Sequence, residues 1–386
     1  MCAMDLALLH EALARDGEPE FRARQVWAWS ARGARGFDEM TDLPAALREK
    51  LEREVPFSSL SVRRESRAQD GTVKALFATA DARPLEAVLM RYRDGRRSLC
   101  VSSQSGCPLT CRFCATGAMR FARNLTASEI LDQALHFRRL EDPPERPGSA
   151  AADSPDGTAV RASARGRAGA RGAPLSNCVF MGMGEPMLNL DAVLTACERL
   201  PDLGISHRHT TISTVGWIPG IEALSEQPLP LRLALSVHAA DEALRSELMP
   251  INDRYPLNDV IDSARAFYAR KRRRVFVEYV MLAGVNDRYE QALALARLLS
   301  DGAGARGAIF KVNLIPYNPT GGAPPAGSAS GEREGLHGER SFKGSSRASI
   351  AAFAAALRAH GVDATVRLTR GREIDAACGQ LAAREG

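Results

Sequence analysis

The sequence predicts an α/β protein built on a parallel sheet, with a small helical unit ahead of it. Three observations carry this. From residue 105 onward, strand-like runs alternate with helix-like runs, and repeated βα units produce parallel strands. About six such strands follow residue 98, fewer than the eight of a full barrel, so the sheet is open or only partly closed. The first ~60 residues show helical spacing instead of alternation.

In the N-terminal part, Phe21, Val26, Trp29 and Phe37 make an apolar stripe with basic residues between, and Leu43, Leu47 and Leu51 recur every fourth residue. Asp42 and Pro44 read as a helix start. Runs at 60–64, 73–78, 85–92 and 99–102 are β-like. Thr126 followed by Glu129 is a capping box opening a helix over 130–140. Strands are then expected at 178–183, 209–214, 231–238, 275–282, 309–317 and 364–369, with helices at 190–200, 241–248, 290–299 and 349–360. Residues 141–176, rich in Pro, Gly, Ala, Ser and Arg, and the Gly- and Ser-rich residues 321–346 cannot bury a core. Both read as flexible insertions, and the Arg165, Arg167, Arg171 string in the first reads as a spacer, with RNA contact as the alternative. The expected organisation is a small helical domain over 1–57, a β-rich linker over 58–104 and a βα sheet over 105–386.

The 386 residues carry 51 Lys plus Arg against 46 Asp plus Glu, with 45% hydrophobic and 25% charged residues. These values exclude a disordered, collagen-like or rod-like chain. No run approaches the roughly 20 apolar residues that span a bilayer. Asp5, His10 and Glu11 stand where a secretory signal would be apolar, so a cytoplasmic protein is expected. Four of the eight cysteines, Cys100, Cys107, Cys111 and Cys114, fall within fifteen positions, which points to metal or redox chemistry in a reducing compartment. Basic residues crowd at Arg22, Arg24, Arg32, Arg35, Arg63, Arg64 and Arg67, and again at 271–274. Each cluster is either a solvated face or a phosphate-binding surface.

The central motif is Cys107-Pro-Leu-Thr-Cys111-Arg-Phe-Cys114. Three thiolates in one loop suit three irons of a cubane cluster and leave the fourth open for a ligand. A zinc site would want a fourth Cys or His, and His136, the nearest histidine, lies on a predicted helix. Gly182, Gly184, Glu185 and Pro186 follow a buried-type strand, where glycines admit a ligand close to the backbone and Glu185 can accept from an ammonium; a tight βα turn is the alternative. Ser213, Ser236, His238 and Asn318 stand at the carboxyl ends of strands, where ligands sit in parallel α/β folds. Taken alone, Cys100 and Cys378 read as small hydrophobes and Glu86 as one polar residue of a strand.

The cysteine spacing resembles the radical S-adenosylmethionine (SAM) superfamily. The longer set of motifs resembles its RlmN/Cfr family of adenosine methyltransferases, and the RlmN branch most. These are Phe21-Arg-Ala-Arg-Gln-Val-Trp-Ala-Trp29, Met181-Gly-Met-Gly-Glu-Pro186, Asn313-Leu-Ile-Pro-Tyr-Asn-Pro319 and Gly371-Arg-Glu-Ile-Asp-Ala-Ala-Cys-Gly-Gln-Leu381. The resemblance implies a partial (βα)6 TIM-like barrel with a 4Fe-4S cluster on Cys107, Cys111 and Cys114. It implies SAM contacts at Gly184, Glu185, Ser213, Ser236, Val237, His238 and Asn318, and two SAM molecules per turnover. The residue matching Cys378 takes a methyl group from the first SAM. A radical made from the second activates that S-methyl group toward adenine. The residue matching Cys100 then attacks the sulfur, forming a disulfide and releasing the product. Glu86 matches the proposed proton acceptor. The implied reaction is methylation of adenine C2 in 23S rRNA and in tRNA beside the anticodon, by a monomer fed electrons by flavodoxin or ferredoxin. A Cfr-like C8 activity and a non-catalytic RNA-binding protein with structural zinc are the alternatives. Two departures from the family pattern are Arg120, where a Gly often precedes Phe121, and Tyr317, where a Trp is often seen.

Overall fold

The computed structural model describes residues 6–140, 174–300, 309–320 and 342–383. Three helices come first: α1 (Leu6–Arg15), α2 (Phe21–Arg32) and α3 (Ala45–Glu54). Leu9, Val26, Phe37, Met40 and Leu51 close a small core among them, each at most 1% exposed. Burial of this kind stabilises by roughly 1.5–3 kcal/mol per side chain. The expected stripe is only partly right. Phe21 is exposed, with Arg22 over its ring, while Trp27 turns to the other side of α2 and joins the main core. The Trp27 indole donates to Asp202 at 2.7 Å. Asp42 does not cap α3, whose start has no side-chain cap; its carboxylate accepts from the Trp29 indole at 2.6 Å.

Next come β1 (Leu60–Arg67), β2 (Val73–Thr79), β3 (Pro84–Arg91) and β4 (Arg97–Cys100), then the short β5 (Gln104–Ser105) and β6 (Arg123–Asn124) and helix α4 (Ala127–Arg139). The remaining elements alternate: β7 (Asn177–Phe180), α5 (Leu190–Arg199), β8 (Thr210–Thr214), α6 (Ile218–Glu226), β9 (Arg232–Ser236), α7 (Glu242–Leu248), α8 (Leu257–Lys271), β10 (Val275–Met281), α9 (Tyr289–Leu299), β11 (Phe310–Pro316), α10 (Arg347–Ala359) and β12 (Ala364–Val366). One ten-stranded sheet runs β1-β2-β3-β4-β7-β8-β9-β10-β11-β12. Its first three pairings are antiparallel and the rest are parallel. The parallel part therefore begins at β4, so the strand assigned to the linker opens the partial barrel, and Cys100 at its end faces the same edge as the later strand ends.

Two helices, α6 and α8, were not expected. Helix α6 has Pro219 in its first turn and contains Gly220, two residues that are poor helix formers in an interior position. Helix α8 buries Leu257, Val260, Ile261, Ala264 and Phe267, a helical spacing present in the sequence. The capping box at α4 forms as expected. Residues 141–173 and 321–341 of the expected insertions, with the Arg165, Arg167, Arg171 string, lie outside the described residues. At the edges of those stretches the chain is built into the fold: Leu175 is 1% exposed, and Gly344 bridges Leu282.

Helix α4 is tied to the start of β1 by Asp132, a fully buried residue. One of its carboxylate oxygens accepts from the Ser59 amide at 2.8 Å, the Ser59 hydroxyl at 2.6 Å and the Leu60 amide at 3.2 Å. Asp132→Ala strands these donors, and a loss of about 3 kcal/mol is expected in denaturant melts.

Candidate active site

The carboxyl edge of the parallel strands forms a pocket that is open to solvent at its mouth. It is lined by Cys107, Cys111 and Cys114 on one wall, Gly184 and Glu185 after β7, Ser213 of β8, Ser236 and His238 at the end of β9, and Cys378 from the C-terminal strap. Topology brings these distant residues together, because parallel strands deliver all their carboxyl ends to the same side.

The loop that carries the three cysteines is held by close backbone packing. A Cβ on Gly106 would lie 2.3 Å from the Arg120 carbonyl oxygen, and Gly106 has φ +73°. The departure at Arg120 is harmless, since the glycine this turn needs is on the other side of the contact. Arg120 is not among the described non-glycine residues with positive φ. Gly184, at φ +95°, is required for a different reason than expected: a Cβ there would sit 2.5 Å from Gln104 Cβ, so the approach is to the strand leading into the cysteine loop.

Glu185 is 2% exposed and accepts from the Met187 and Val215 amides at 3.1 and 3.0 Å. Burial raises its carboxyl to about 7 against the pull of those amides. His238 sits at φ +58° and accepts the Val280 amide on Nδ1 at 3.0 Å. Burial, with Arg245 nearby, lowers its pKa to about 3, so the ring is neutral and Nε2 carries the proton. Phe113 packs edge-on against it with ring centres 4.6 Å apart. Tyr317 keeps an aromatic surface on the pocket wall, packed edge-on against Phe342.

Val237 lies outside the lining and works through its backbone, donating to the Glu278 carbonyl at 3.1 Å. Asn318 is buried, and its amide donates to the Cys378 carbonyl at 3.4 Å while its Oδ1 has no partner. Cys100, at the end of β4, is a free thiol, as is Cys378. Burial pushes Cys100 up to about 12, and the nearby Cys378 adds to this. Cys378 is raised to about 11 by its dense surroundings although its side chain is open to solvent, and Arg367 pulls in the opposite direction. Glu86 is 1% exposed and is not among the lining residues; its carboxylate is engaged by Lys74 and by the backbone of the strap.

The residues present fit a cubane cluster and SAM. Burial drives the thiol of Cys107 up to about 12 and that of Cys111 well above its ordinary value, with mutual repulsion adding to both. Thiols so placed become thiolates when a metal replaces the proton. Zinc needs all its ligands about 2.3 Å or less from one centre, whereas a cubane takes one thiolate per iron. Two buried acceptors, Asn318 Oδ1 and Glu278 Oε2, lack hydrogen-bond partners, and SAM brings ammonium and hydroxyl donors.

Two residues of this framework escaped the sequence reading. Arg245 is fully buried; its guanidinium donates to the Val215 carbonyl at 2.6 Å, the Val237 and Ser236 carbonyls at 3.3 Å, and Asn252 at 2.5 Å. It knits the ends of β8 and β9 under the cysteine loop. In sequence it is one more arginine on a helix, and only the burial of both neighbouring loops reveals it. Arg245→Lys loses the fork that reaches four acceptors at once, and roughly 3 kcal/mol of stability should go with it, measured as a lower melting temperature. Glu278 is the other: Asn313 donates to it at 2.8 Å, Thr365 donates to Asn313 at 2.9 Å, and Arg367 lies 3.7 Å away, so the last three strands of the sheet carry a polar row beside Cys378.

A three-cysteine loop over the carboxyl edge of a partial βα barrel defines a radical SAM enzyme. Residues 166–296 match the radical SAM superfamily, and residues 1–56 match the ribosomal RNA large subunit methyltransferase N-terminal domain. The chain is 44% identical over 385 residues to a protein of Chloroflexus aurantiacus named "Probable dual-specificity RNA methyltransferase RlmN", covering 98% of this chain and 92% of that one. A protein of the same name from Gemmatimonas aurantiaca is 44% identical, covering 97% and 90%. A crystal structure of a radical SAM methyltransferase from Sphaerobacter thermophilus superposes with a TM-score of 0.79 at 40% identity, covering 98% of each chain. The chain belongs to the RlmN family of radical SAM methyltransferases. Among the described residues no helix is long and apolar enough to cross a membrane.

Proposed function

We propose that this protein methylates C2 of one adenosine in 23S rRNA and of the adenosine 3′ of the anticodon in tRNA, using two SAM molecules per turnover. The observation that carries the reading is that Cys378, 264 positions after Cys114 (378 − 114), lines the same pocket as the three cysteines of the loop, with Cys100 close enough to repel its thiolate. An amidine carbon is too electron-poor to attack SAM directly, so a thiol carrier is needed. When bound to Cys107, Cys111 and Cys114, a 4Fe-4S cluster with SAM supplies the radical that activates the carried methyl group. Cys378 acts as carrier: its thiolate displaces the methyl group of one SAM and releases S-adenosylhomocysteine. Once the carried carbon is joined to C2, and the adduct radical has lost the C2 proton to a base and one electron back to the redox centre that supplied it so that the ring is aromatic again, Cys100 attacks the sulfur of Cys378. The S–S bond forms, the C–S bond breaks, and its electron pair stays on carbon, which takes a proton to become the product methyl. An external dithiol then returns the disulfide to thiols. Gly184, Glu185, Ser213, Ser236, Val237, His238 and Asn318 bind and orient SAM, and a flavodoxin- or ferredoxin-like donor supplies the electron.

Nucleoside mass spectrometry of RNA after anaerobic turnover tests this. 2-Methyladenosine is the expected product; 8-methyladenosine would move the assignment to the Cfr-like reaction, and unmodified RNA would overturn it.

The long RNA must be gripped outside the pocket. Arg24 and Arg32 of the helical unit are exposed, with Arg32 stacked on Trp29. The run at 272–274, expected to share this task, lies before β10, at the amino end of the sheet. That is roughly 20 Å from the pocket edge by strand length. Arg24→Glu with Arg32→Glu should weaken RNA binding and reduce the log–log salt slope by about 0.7 per lost phosphate contact. Methylation of Cys378 should be unchanged, and Arg273→Glu should change neither quantity. Filter binding across a salt series checks this.

A further inference from the structure

Glu86 matches a proposed proton acceptor, yet its surroundings describe a different task. Its Oε1 pairs with Lys74 Nζ at 2.9 Å, and both side chains are buried. Its Oε2 accepts from the amides of Ala382 and Ala383 at 3.0 and 3.1 Å. Two successive amides converging on one oxygen form an anion-binding nest, and Ala383 takes φ +48° to make it, a strained value for a residue with a Cβ. Lys74 also donates to the Asp375 carbonyl at 3.2 Å. Glu86 itself is fixed on β3, where its carbonyl accepts from Ser102 at 2.5 Å.

These contacts lie on either side of Cys378. Between them, the Ala115 amide donates to the Gly379 carbonyl at 2.8 Å, and Thr116 Oγ1 donates to the Leu381 carbonyl at 2.6 Å, both from the cysteine loop. Gln380 donates to the Pro319 carbonyl at 3.0 Å. The strap 376–383 is thus tied along its length to three places in the barrel, and its charged tie is the Glu86–Lys74 pair.

We propose that Glu86 and Lys74 clamp the C-terminal strap and so hold Cys378 over the pocket, making Glu86 a positioning residue and not the proton acceptor. The proposal rests on Cys378 being the methyl carrier. A carrier thiol must meet the SAM methyl group in line, and a slack strap would lose that alignment at a steep cost in rate.

The test uses reconstituted holoenzyme and two readouts that need no RNA: hydrogen–deuterium exchange of amides 376–383, and alkylation of Cys378 by iodoacetamide followed by mass spectrometry. The variants are Lys74→Met, Ala382→Pro, which removes one amide donor without touching the buried pair, and Glu86→Gln, which keeps an oxygen acceptor. Lys74→Met and Ala382→Pro are each expected to speed strap exchange and Cys378 alkylation about tenfold and to slow methyl transfer from SAM to Cys378. Glu86→Gln, whose single carbonyl oxygen can serve Lys74 or the two strap amides but not both, should loosen the strap and slow methyl transfer to Cys378 in proportion to that loosening. The proposal is overturned if Glu86→Gln abolishes turnover while the strap stays protected, which is the signature of a proton acceptor. It is equally overturned if Ala382→Pro leaves exchange and alkylation unchanged. A wrong RNA substrate would show instead as normal methylation of Cys378 with no methylated nucleoside.

Discussion

Cys378→Ala is expected to abolish RNA methylation while leaving the iron content and SAM binding of the protein intact. The pocket explains why the effect should be total. Cys378 is the one cysteine lining it outside the cysteine loop, and an alanine cannot carry a methyl group. Cys100→Ala should fail later. With no thiol to attack the sulfur, the base stays joined through carbon to Cys378, and the expected phenotype is protein covalently attached to RNA on a denaturing gel. Cys100 is placed for this at the end of β4, level with Val88 on β3 and Val179 on β7. Normal turnover by Cys100→Ala without an adduct would remove its role.

The second large effect is on the cluster. Cys107→Ala, Cys111→Ala or Cys114→Ala should each eliminate bound iron and all activity, because two thiolates do not hold a cubane firmly. The protein should still fold: each thiol is at the pocket wall, and the loop is held by backbone contacts such as Arg112 N to the Leu248 carbonyl at 3.1 Å. Iron analysis after anaerobic reconstitution, alongside a circular-dichroism melt, separates loss of cluster from loss of fold. A single variant with full iron and turnover would contradict the ligand assignment.

Much of this molecule was legible in the sequence because its signals are local. The cysteine spacing, the Thr126–Glu129 capping box and the alternation of βα units are read over a few residues each. The carboxyl-end polar residues were legible by rule, since parallel strands carry their ends to one edge. What was missed depends on contacts between distant segments. Arg245 and Asp132 look like ordinary helix residues until the loops that cover them are known. Helix α6 was hidden by Pro219 and Gly220, which signal turns locally and are tolerated here in the first turn of a helix. The run at 272–274 was assigned by charge alone, and charge carries no information about which end of a strand it lies on. Glu86 shows the same limit at the site itself: its partners Ala382 and Ala383 are almost 300 positions away, with separations of 296 and 297.

The most direct measurement of the central claim follows the methyl hydrogens. The enzyme is supplied with SAM whose methyl group is fully deuterated, and both Cys378 and the product nucleoside are read by mass spectrometry. A carrier route predicts a trideuterated methyl group on Cys378 and a product methyl that keeps only two deuterons, since one leaves when the carried methyl is activated and a proton replaces it when the C–S bond breaks. A product retaining all three deuterons, with Cys378 unlabelled, would mean direct transfer from SAM to the base and would contradict the account.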